Sequence, residues 1–258
     1  MAVKLKNIID EIERLAPPSL AVSRDNCGLI IGRENSEIKR VLLSLDATMD
    51  AIDECIEKNC DCIITHHPFM FETKKINDKT ALGRRILKAV ENKIVIYSAH
   101  TNLDMCDGGI NDRLCEILGI IVDEKLYEDG SPVGRAGHFE RELSLEEAVS
   151  LAKEKLGLTS VKYCGDNSHM VKKAGVISGS GMTYLSCVAE SGCDVFFTGD
   201  LRMGNSMQAA DLGVSVVDLT HYGSEVIILP YLKELLDRKF DLEIMLSEKN
   251  KEIFHYMK

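Results

Sequence analysis

The sequence predicts an α/β (α+β) protein in which helices pack on largely parallel sheets. Two patterns in its 258 residues indicate this. Short apolar runs typical of buried strands alternate with segments in which apolar residues recur at helical spacing. Polar segments rich in histidine and aspartate follow several of these runs, and functional residues of such folds gather at the carboxyl ends of strands. The 45% hydrophobic composition is enough to bury a sizeable core.

The first half of the chain predicts helices and strands in alternation. Apolar residues recur at helical spacing over residues 5–15, and Pro17 and Pro18 end that helix. The elements that follow are, in order, strands 28–32 and 39–48, helix 49–59, strand 61–65, helix 79–92, strand 93–99 and helix 111–118. The segment 100–109 between the last two is predicted to be a loop.

Turn signals at Asp129, Gly130 and Pro132 indicate a domain boundary between residues 121 and 140. Beyond it, Ser144 is predicted to cap a helix that follows a strand. The later elements are strand 161–165, a strand and glycine-rich turn over 172–181, a helix from about 182, strand 194–200, helix 205–212, a strand from 214, helix 225–238 and strand 242–248. We expect a metal-binding domain from residues 1–122 and 215–258, and an inserted domain from 123–214.

The composition excludes several functions. A formal charge of −10 repels nucleic-acid phosphates, so nucleic acid is not an expected partner. No apolar run reaches the roughly 18–20 residues that span a bilayer, and charges interrupt the first residues, where a signal peptide is apolar. Nine cysteines, an odd number without a Cys-x-x-Cys pair, suit a reducing compartment. We therefore expect a cytoplasmic protein without a membrane segment.

The sharpest chemical signal is the pair His66 and His67, which directly follows the apolar strand 61–65 and precedes Pro68. Neighbouring side chains of an extended segment point in opposite directions, so such a pair can reach two metal ions, or one ion and another partner. Structural hydrogen bonding of both rings is the alternative interpretation.

Two further strand ends carry the same donor types. His100 and Asp104 follow strand 93–99. Asp104 is a candidate ligand, although an aspartate in a loop also closes turns, and His100 is a candidate ligand, proton carrier or hydrogen-bonding group. His221 and Glu225 follow the strand from residue 214, and residues four apart share one face of a helix.

Imidazole and carboxylate donors together suit zinc, iron, manganese, cobalt or nickel. The candidate ligands are His66, His67, Asp104, His221 and Glu225. They exceed the four ligands of a closed zinc site, so we expect two divalent ions per subunit with open positions for water.

Seven segments resemble the GTP cyclohydrolase 1 type 2 homologues, also called Nif-three-like proteins. They lie in the family's order at residues 25–32, 44–48, 64–71, 98–104, 177–181, 197–200 and 221–225. The resemblance implies a Nif-three-like fold of two α/β domains with the metal site between them, and a homohexamer. It also implies a dinuclear centre whose ligands are the five candidates named above.

The function that the resemblance implies is a metal-dependent hydrolase. A metal-activated water would attack a nucleotide or another small phosphorylated or heterocyclic substrate, the family name indicating opening of the guanine imidazole ring of GTP. His100 and Glu225 are the candidate proton-transfer residues. A phosphoesterase is the enzymatic alternative, and a non-catalytic metal-binding protein that handles metal or docks a partner is the other.

Gly179, Ser180 and Gly181 are candidate substrate-binding residues. They form a glycine-rich turn between a strand and a helix, which can hold a phosphate through backbone N–H groups or can be a tight turn that needs glycine. The chain departs from the family nearby. Many members have Thr-Gly-Glu and then a histidine-bearing helix, whereas Asp200 is followed here by Leu-Arg-Met, and many have glycine where Thr220 precedes His221.

Overall fold

The computed structural model describes residues 2–72 and 75–255. The helices of this part are α1 (Leu5–Leu15), α2 (Met49–Glu57), α3 (Ala81–Glu91), α4 (Thr101–Met105), α5 (Ile110–Leu118), α6 (Leu145–Lys155), α7 (Leu185–Glu190), α8 (Met203–Asp211), α9 (His221–Glu225) and α10 (Ile228–Asp237). The strands are β1 (Val3–Lys4), β2 (Gly28–Ile31), β3 (Glu37–Ile38), β4 (Arg40–Ser44), β5 (Cys62–Thr65), β6 (Val95–Ser98), β7 (Ile120–Glu128), β8 (Ser131–Ser144), β9 (Lys162–Cys164), β10 (Met170–Val176), β11 (Val195–Thr198), β12 (Ser215–Asp218) and β13 (Glu243–Leu246).

The chain divides into two compact units. The first unit contains the described residues up to Cys106 together with Ile228–Lys251, and the second contains Asp107–Ile227 together with the described residues from Glu252 onwards. The mixed helix and strand content confirms the predicted α/β class. Each unit is built on one main sheet.

The first unit is built on a five-stranded sheet in the order β13-β4-β5-β6-β2. The first four strands of that order are parallel, and β2 pairs antiparallel with β6 at one edge. Leu42, Ile63 and Ile96 lie on neighbouring strands and are fully buried, with Ile52 of α2 and Ile86 of α3 in the same apolar cluster. Parallel sheets need both faces covered, which explains why these strands are continuous apolar runs.

The second unit is built on a six-stranded mixed sheet in the order β7-β8-β10-β11-β12-β9. Its centre, β10-β11-β12, is parallel, and β8 and β9 flank that centre antiparallel. The carboxyl ends of the parallel strands therefore meet at one edge, which is where the segments after Val176, Thr198 and Asp218 begin.

Most predicted elements are confirmed, with boundaries shifted by a few residues. The helix predicted over 5–15 is α1, and its apolar face is buried at Leu5, Ile8 and Ile12. Ser144 caps α6 as expected, because its hydroxyl accepts the N–H of Glu147 and the Glu147 carboxylate accepts the N–H of Ser144.

One turn signal has a local role, and two local expectations are wrong. Asp129 and Gly130 close the β7-β8 hairpin within the segment 121–140, and a boundary between independently folding domains there stays a prediction. Both turn residues have positive φ, as a two-residue hairpin turn requires. The segment 100–109 contains the short helix α4. The helix predicted over 225–238 is split into α9 and α10, because Pro230 has no N–H to bond the carbonyl of Val226.

The sequence-based domain limits differ from the two units. Residues 107–122 and 215–227 lie in the second unit, whereas the sequence predicts them in the first domain. The reason for the second segment is that β12 hydrogen-bonds to β11 and β9 of the mixed sheet. That residues 123–214 form a separate domain inserted into the first one stays a prediction.

Among the described residues, the helices are all too short or too polar to cross a membrane.

Glu54 of α2 is hydrogen-bonded to the segment after β13, at Ser247 and Glu248. We expect its replacement to lower the stability of the protein in a pH-dependent way. The side chain is 2% exposed, pairs with Lys58 Nζ at 2.8 Å, and accepts the Ser247 hydroxyl at 2.5 Å and the Glu248 N–H at 2.9 Å. Burial raises the pKa of Glu54, but the hydrogen bonds from Lys58 and Ser247 outweigh it and lower the pKa below its usual value.

We expect Glu54→Gln to reduce the free energy of unfolding by about 1–3 kcal/mol at pH 7, because an amide donor then faces buried donors. A lowered folded-state pKa stabilises the protein above the unfolded pKa of about 4.3, so the difference should shrink as the pH falls below that value. Urea unfolding at several pH values measures it. Glu57→Gln, on the exposed side of the same helix, is the matched control, and equal effects of the two changes would contradict the argument.

Candidate metal centre

In the first unit, His66 and His67 begin where β5 ends, as the sequence predicts. Their backbone is still hydrogen-bonded to the segment at the end of β4. The N–H of His66 donates to Ser44 O at 3.3 Å, and the N–H of His67 donates to Leu45 O at 2.9 Å. Thr65 Oγ1 donates to the carbonyl of His67 at 2.8 Å, which holds the turn. His66 is fully buried and His67 is partly exposed.

The histidines 66, 67 and 100 form one cluster. Their ring centroids are 5.0 Å apart for His66 and His67, 5.1 Å for His66 and His100, and 5.7 Å for His67 and His100. One nitrogen of each ring lies within 4.8 Å of one nitrogen of both others, which fits ligation of a common ion. The structure thus brings His100 into the candidate ligand group.

Asp104 lies beside this cluster on α4. Its Oδ1 is 3.8 Å from His66 Nε2, and its side chain is 18% exposed. The helix α4 turns the aspartate back towards the histidines, although the sequence predicts a loop here. The first unit therefore holds three imidazoles and one carboxylate as candidate donors.

The second unit holds His221 and Glu225, at the two ends of α9. His221 Nε2 is 3.2 Å from Glu225 Oε1, and Glu225 is only 3% exposed. The hydrogen bond to Glu225, helped by Asp200 and opposed by burial, raises the pKa of His221 to about 9. A divalent ion competes with the Nε2 proton for the same lone pair, so this pair is a candidate ligand pair.

In each of the four histidines 66, 67, 100 and 221, the Nδ1 atom is hydrogen-bonded to an oxygen of the protein. Nδ1 lies 2.9 Å from Ala99 O in His66, 3.0 Å from Asp46 Oδ1 in His67, 2.9 Å from Asp25 Oδ1 in His100 and 2.8 Å from Asp200 Oδ2 in His221. Carbonyl and carboxylate oxygens accept, so Nδ1 carries the hydrogen and Nε2 is the nitrogen suited to a metal. Histidines that bind metals are oriented in this way.

Two of the three aspartates that orient these rings, Asp25 and Asp46, are not among the residues predicted from the sequence. Asp25 is the more strongly held, because it also accepts the N–H of Thr101 at 3.0 Å, the Thr101 hydroxyl and the Cys27 thiol. Burial raises the pKa of Asp25, but the hydrogen bonds from His100 and Thr101 outweigh burial and hold the pKa well below its usual range. Both Asp25 and Asp46 lie in segments that carry the family resemblance, which was the available signal.

Backbone strain marks the surroundings of His221. Asp200, which accepts its Nδ1–H, has φ of 57°, and Thr220, which precedes it, has φ of 62° and ψ of 155°. The second combination is adopted almost only by glycine. The Thr220 hydroxyl accepts the N–H of Gly223 at 2.9 Å, which caps α9 and partly offsets the strain.

The glycine-rich turn lies against the same pair. A Cβ on Gly179 would come within 2.3 Å of Glu225 Oε1, and φ of Gly179 is +59°. Gly179 N–H donates to Ser224 Oγ at 2.9 Å and Gly181 N–H to Thr198 Oγ1 at 3.0 Å. These N–H groups hold the turn in place beside Glu225, and a substrate contact of Gly179, Ser180 and Gly181 stays a prediction.

Fold and donors together define an α/β protein with candidate histidine and carboxylate metal-binding groups. The profile of the Duf34/NIF3 (NGG1p interacting factor 3) family matches residues 3–253, and the chain belongs to this family. The resemblance found in the sequence and the Nif-three-like fold are thereby confirmed.

Similar proteins extend over the whole chain. A relative from Clostridium perfringens named GTP cyclohydrolase 1 type 2 homolog is 34% identical and covers 99% of this chain and 100% of its own. The structure of reduced HcgD from Methanocaldococcus jannaschii is 34% identical, with a TM-score of 0.85 over 96% of this chain and 99% of the other. A Bacillus cereus protein related to NIF3, 23% identical with a TM-score of 0.87 over 100% of both chains, supports the fold alone.

Because the Thr220 backbone is strained, we expect a glycine at this position to stabilise the protein. We expect Thr220→Gly to raise the free energy of unfolding by about 1 kcal/mol, because relief of about 1–3 kcal/mol of strain exceeds the loss of the cap. Thr220→Ala loses the cap and keeps the strain, so it should be destabilising by about 1 kcal/mol. Urea unfolding of the three proteins measures both differences.

Thr48 offers the matched control. It caps α2 by accepting the Ala51 N–H at 3.1 Å, and its φ of −69° is unstrained. Thr48→Gly should therefore lower stability slightly. A glycine effect of the same sign at both positions would refute the strain interpretation.

Proposed function

We propose that this chain is a dinuclear metal-dependent hydrolase acting on a nucleotide or another small phosphorylated or heterocyclic substrate. The proposed ligands are His66, His67, Asp104, His221 and Glu225, contributed by both units to one centre of two divalent ions. The observation that carries the proposal is the orientation of the histidines, each with Nδ1 held by an oxygen so that Nε2 is the donor atom.

The donor set fits such ions. Neutral imidazoles and carboxylates suit zinc, iron, manganese, cobalt or nickel, so the three histidines together with Asp104 and Glu225 would hold such ions. A bound pair of divalent ions supplies a water molecule whose pKa is lowered towards neutral.

The chain's own residues supply the proton transfers. His100 Nδ1 donates to Asp25 at 2.9 Å, so its Nε2 is the atom that takes a proton from the attacking water or returns it to the leaving group. Asp25 keeps the ring in that tautomer, in the way a buried carboxylate orients a general base. Glu225 is the second candidate, since it is buried and its Oε1 lies 3.2 Å from His221 Nε2.

The names of relatives favour GTP as the first substrate to test, with opening of the guanine imidazole ring as the reaction. A phosphoesterase built on the same centre is the enzymatic alternative. A metal-binding protein that handles metal or docks a partner without turnover is the non-catalytic alternative.

The test combines metal analysis with turnover. Protein purified without chelators should contain two equivalents of a divalent metal per chain by plasma mass spectrometry. His67→Ala and Glu225→Ala should each lose at least one equivalent of metal. Turnover of GTP, or of a phosphoester panel, should fall by a factor of about 100 or more, because loss of even a group that supports a metal ligand costs about 10–100-fold in metal affinity or activity.

His138→Ala is the matched control. His138 also pairs its Nδ1 with an aspartate, Asp123 at 2.8 Å, but it is half-buried on β8 and belongs to neither group of candidate ligands. It should keep both metal equivalents and full turnover. Absence of metal in carefully handled wild-type protein would refute the dinuclear centre, whereas two equivalents without turnover on any substrate would favour the non-catalytic alternative.

We also propose that the chain assembles as a homohexamer, which the family resemblance implies. Light scattering coupled to size-exclusion chromatography should give six times the mass of one chain at micromolar concentration. A monomer or dimer that persists when the concentration is raised tenfold would contradict this assembly.

A further inference from the structure

A cavity of about 360 Å³ in the second unit opens beside His221. It lies beyond the carboxyl ends of β11 and β12, where open α/β sheets bind their ligands. Its lining includes Lys162, Arg202, Asp218, His221, Glu252 and Phe254. The cavity is large enough for a small polar molecule.

Two of the three carboxylates that line this cavity are paired with basic groups. Asp218 Oδ2 pairs with Lys162 Nζ at 2.9 Å and accepts the Leu201 N–H at 3.1 Å, while Oδ1 accepts the Thr220 N–H at 2.9 Å. Lys162 also donates to the carbonyl of Leu201 at 2.6 Å. Asp200 is paired with His221. The third carboxylate, Glu252, accepts the Phe254 N–H at 3.0 Å.

Arg202 is different. Its side chain lines the cavity, and among residues 2–72 and 75–255 its guanidinium takes part in no hydrogen bond or ion pair. Arg135 shows what this fold does with a guanidinium that serves the structure: Arg135 is 1% exposed and makes two bonds to Asp112, at 2.5 and 3.0 Å. Arg202 contributes nothing comparable to folding.

The chemistry of the lining indicates the ligand. A guanidinium offers a planar fork of N–H donors that matches the oxygens of a phosphate. The carboxylate nearest in the chain, Asp200, is turned to His221, so it does not compete for Arg202. An exposed arginine alone is ordinary, but this one lines a cavity that also reaches a candidate metal ligand.

We propose that Arg202 binds a phosphate group of a small substrate in this cavity, while the reacting group of the same substrate lies at His221 and Glu225. The proposal rests on the proposed function for its second half, and its first half concerns binding alone. The proposed substrates are therefore small phosphorylated molecules. In such a molecule the cavity must hold both the phosphate, at Arg202, and the reacting bond, at His221 and Glu225.

The test is binding of inorganic phosphate to protein stripped of metal and freed of chelator, followed by the ³¹P line width. Wild-type protein should bind phosphate, Arg202→Ala should weaken binding by a factor of about 10–100, and Arg202→Lys should retain part of the affinity, since charge without the fork is a weaker phosphate contact. Lys153→Ala, which removes the same charge from the exposed side of α6, should bind like wild type.

Several outcomes would overturn the proposal. Equal phosphate binding by wild type and Arg202→Ala would place the phosphate elsewhere, and no binding by wild type would remove the site. Tighter binding of acetate than of phosphate would replace the ligand class by carboxylates. Thermal melting of each variant checks folding, and an intact fold is expected because the Arg202 side chain makes no hydrogen bond or ion pair with the part of the chain that the structure describes.

The result is independent of the metal proposal. Phosphate binding is measured without metal and without turnover, so its failure leaves metal loading untouched, and loss of metal in His67→Ala leaves the phosphate result untouched. In loaded, active protein, Arg202→Ala should raise KM for phosphorylated substrates at least tenfold, with a smaller change in kcat and no change in KM for substrates that lack phosphate.

Discussion

The hydrogen bonds at Nδ1 decide what this protein can do chemically. A neutral imidazole has one donor nitrogen and one acceptor nitrogen, and the neighbour at Nδ1 selects which is which. His66 is held by the carbonyl of Ala99, which can only accept, so its tautomer follows from geometry alone. His67, His100 and His221 are held by carboxylates, which also make the rings more electron-rich and better donors through Nε2.

The two units supply these orienting groups in different ways. In the first unit two of them come from the ends of neighbouring parallel strands, since Asp46 follows β4 and Ala99 follows β6, while Asp25 precedes the antiparallel edge strand β2. The sheet register therefore sets the positions with little strain. In the second unit, Asp200 and Thr220 both have positive φ, and the backbone around His221 is held in a costly conformation by the capping hydroxyl of Thr220 and by Gly179 packed against Glu225.

Much of the fold was predictable because the strands are buried on both faces. Such strands are continuous apolar runs, and β5 and β6 were recognised for this reason. The hairpin β7-β8 was missed because the outer strand is exposed at Ile121, Val122 and Tyr127 and so lacks a regular apolar pattern, although its Asp-Gly turn was visible.

The candidate ligands were predictable in residue type and position along the chain, and their orienting partners were not. His66 and His67 form a local motif, but His100 and Asp25 are separated by 75 residues and meet only because β2 pairs with β6. A single sequence carries no signal for such a pair beyond the two residue types. The same holds for the bonds of Glu54 to Ser247 and Glu248, which lie 193 and 194 residues further along the chain.

A net charge of −10 repels an anionic substrate, but this repulsion acts over a limited distance in the presence of salt. At physiological ionic strength the screening length is about 8 Å, so the groups that line a cavity outweigh the rest of the surface. In the cavity beside His221, Asp218 is paired with Lys162 and Asp200 with His221, whereas the Arg202 guanidinium and the Glu252 carboxylate also line the cavity. An entering phosphate is therefore recognised by the directional N–H groups of Arg202 at short range, and not by the net charge of the protein.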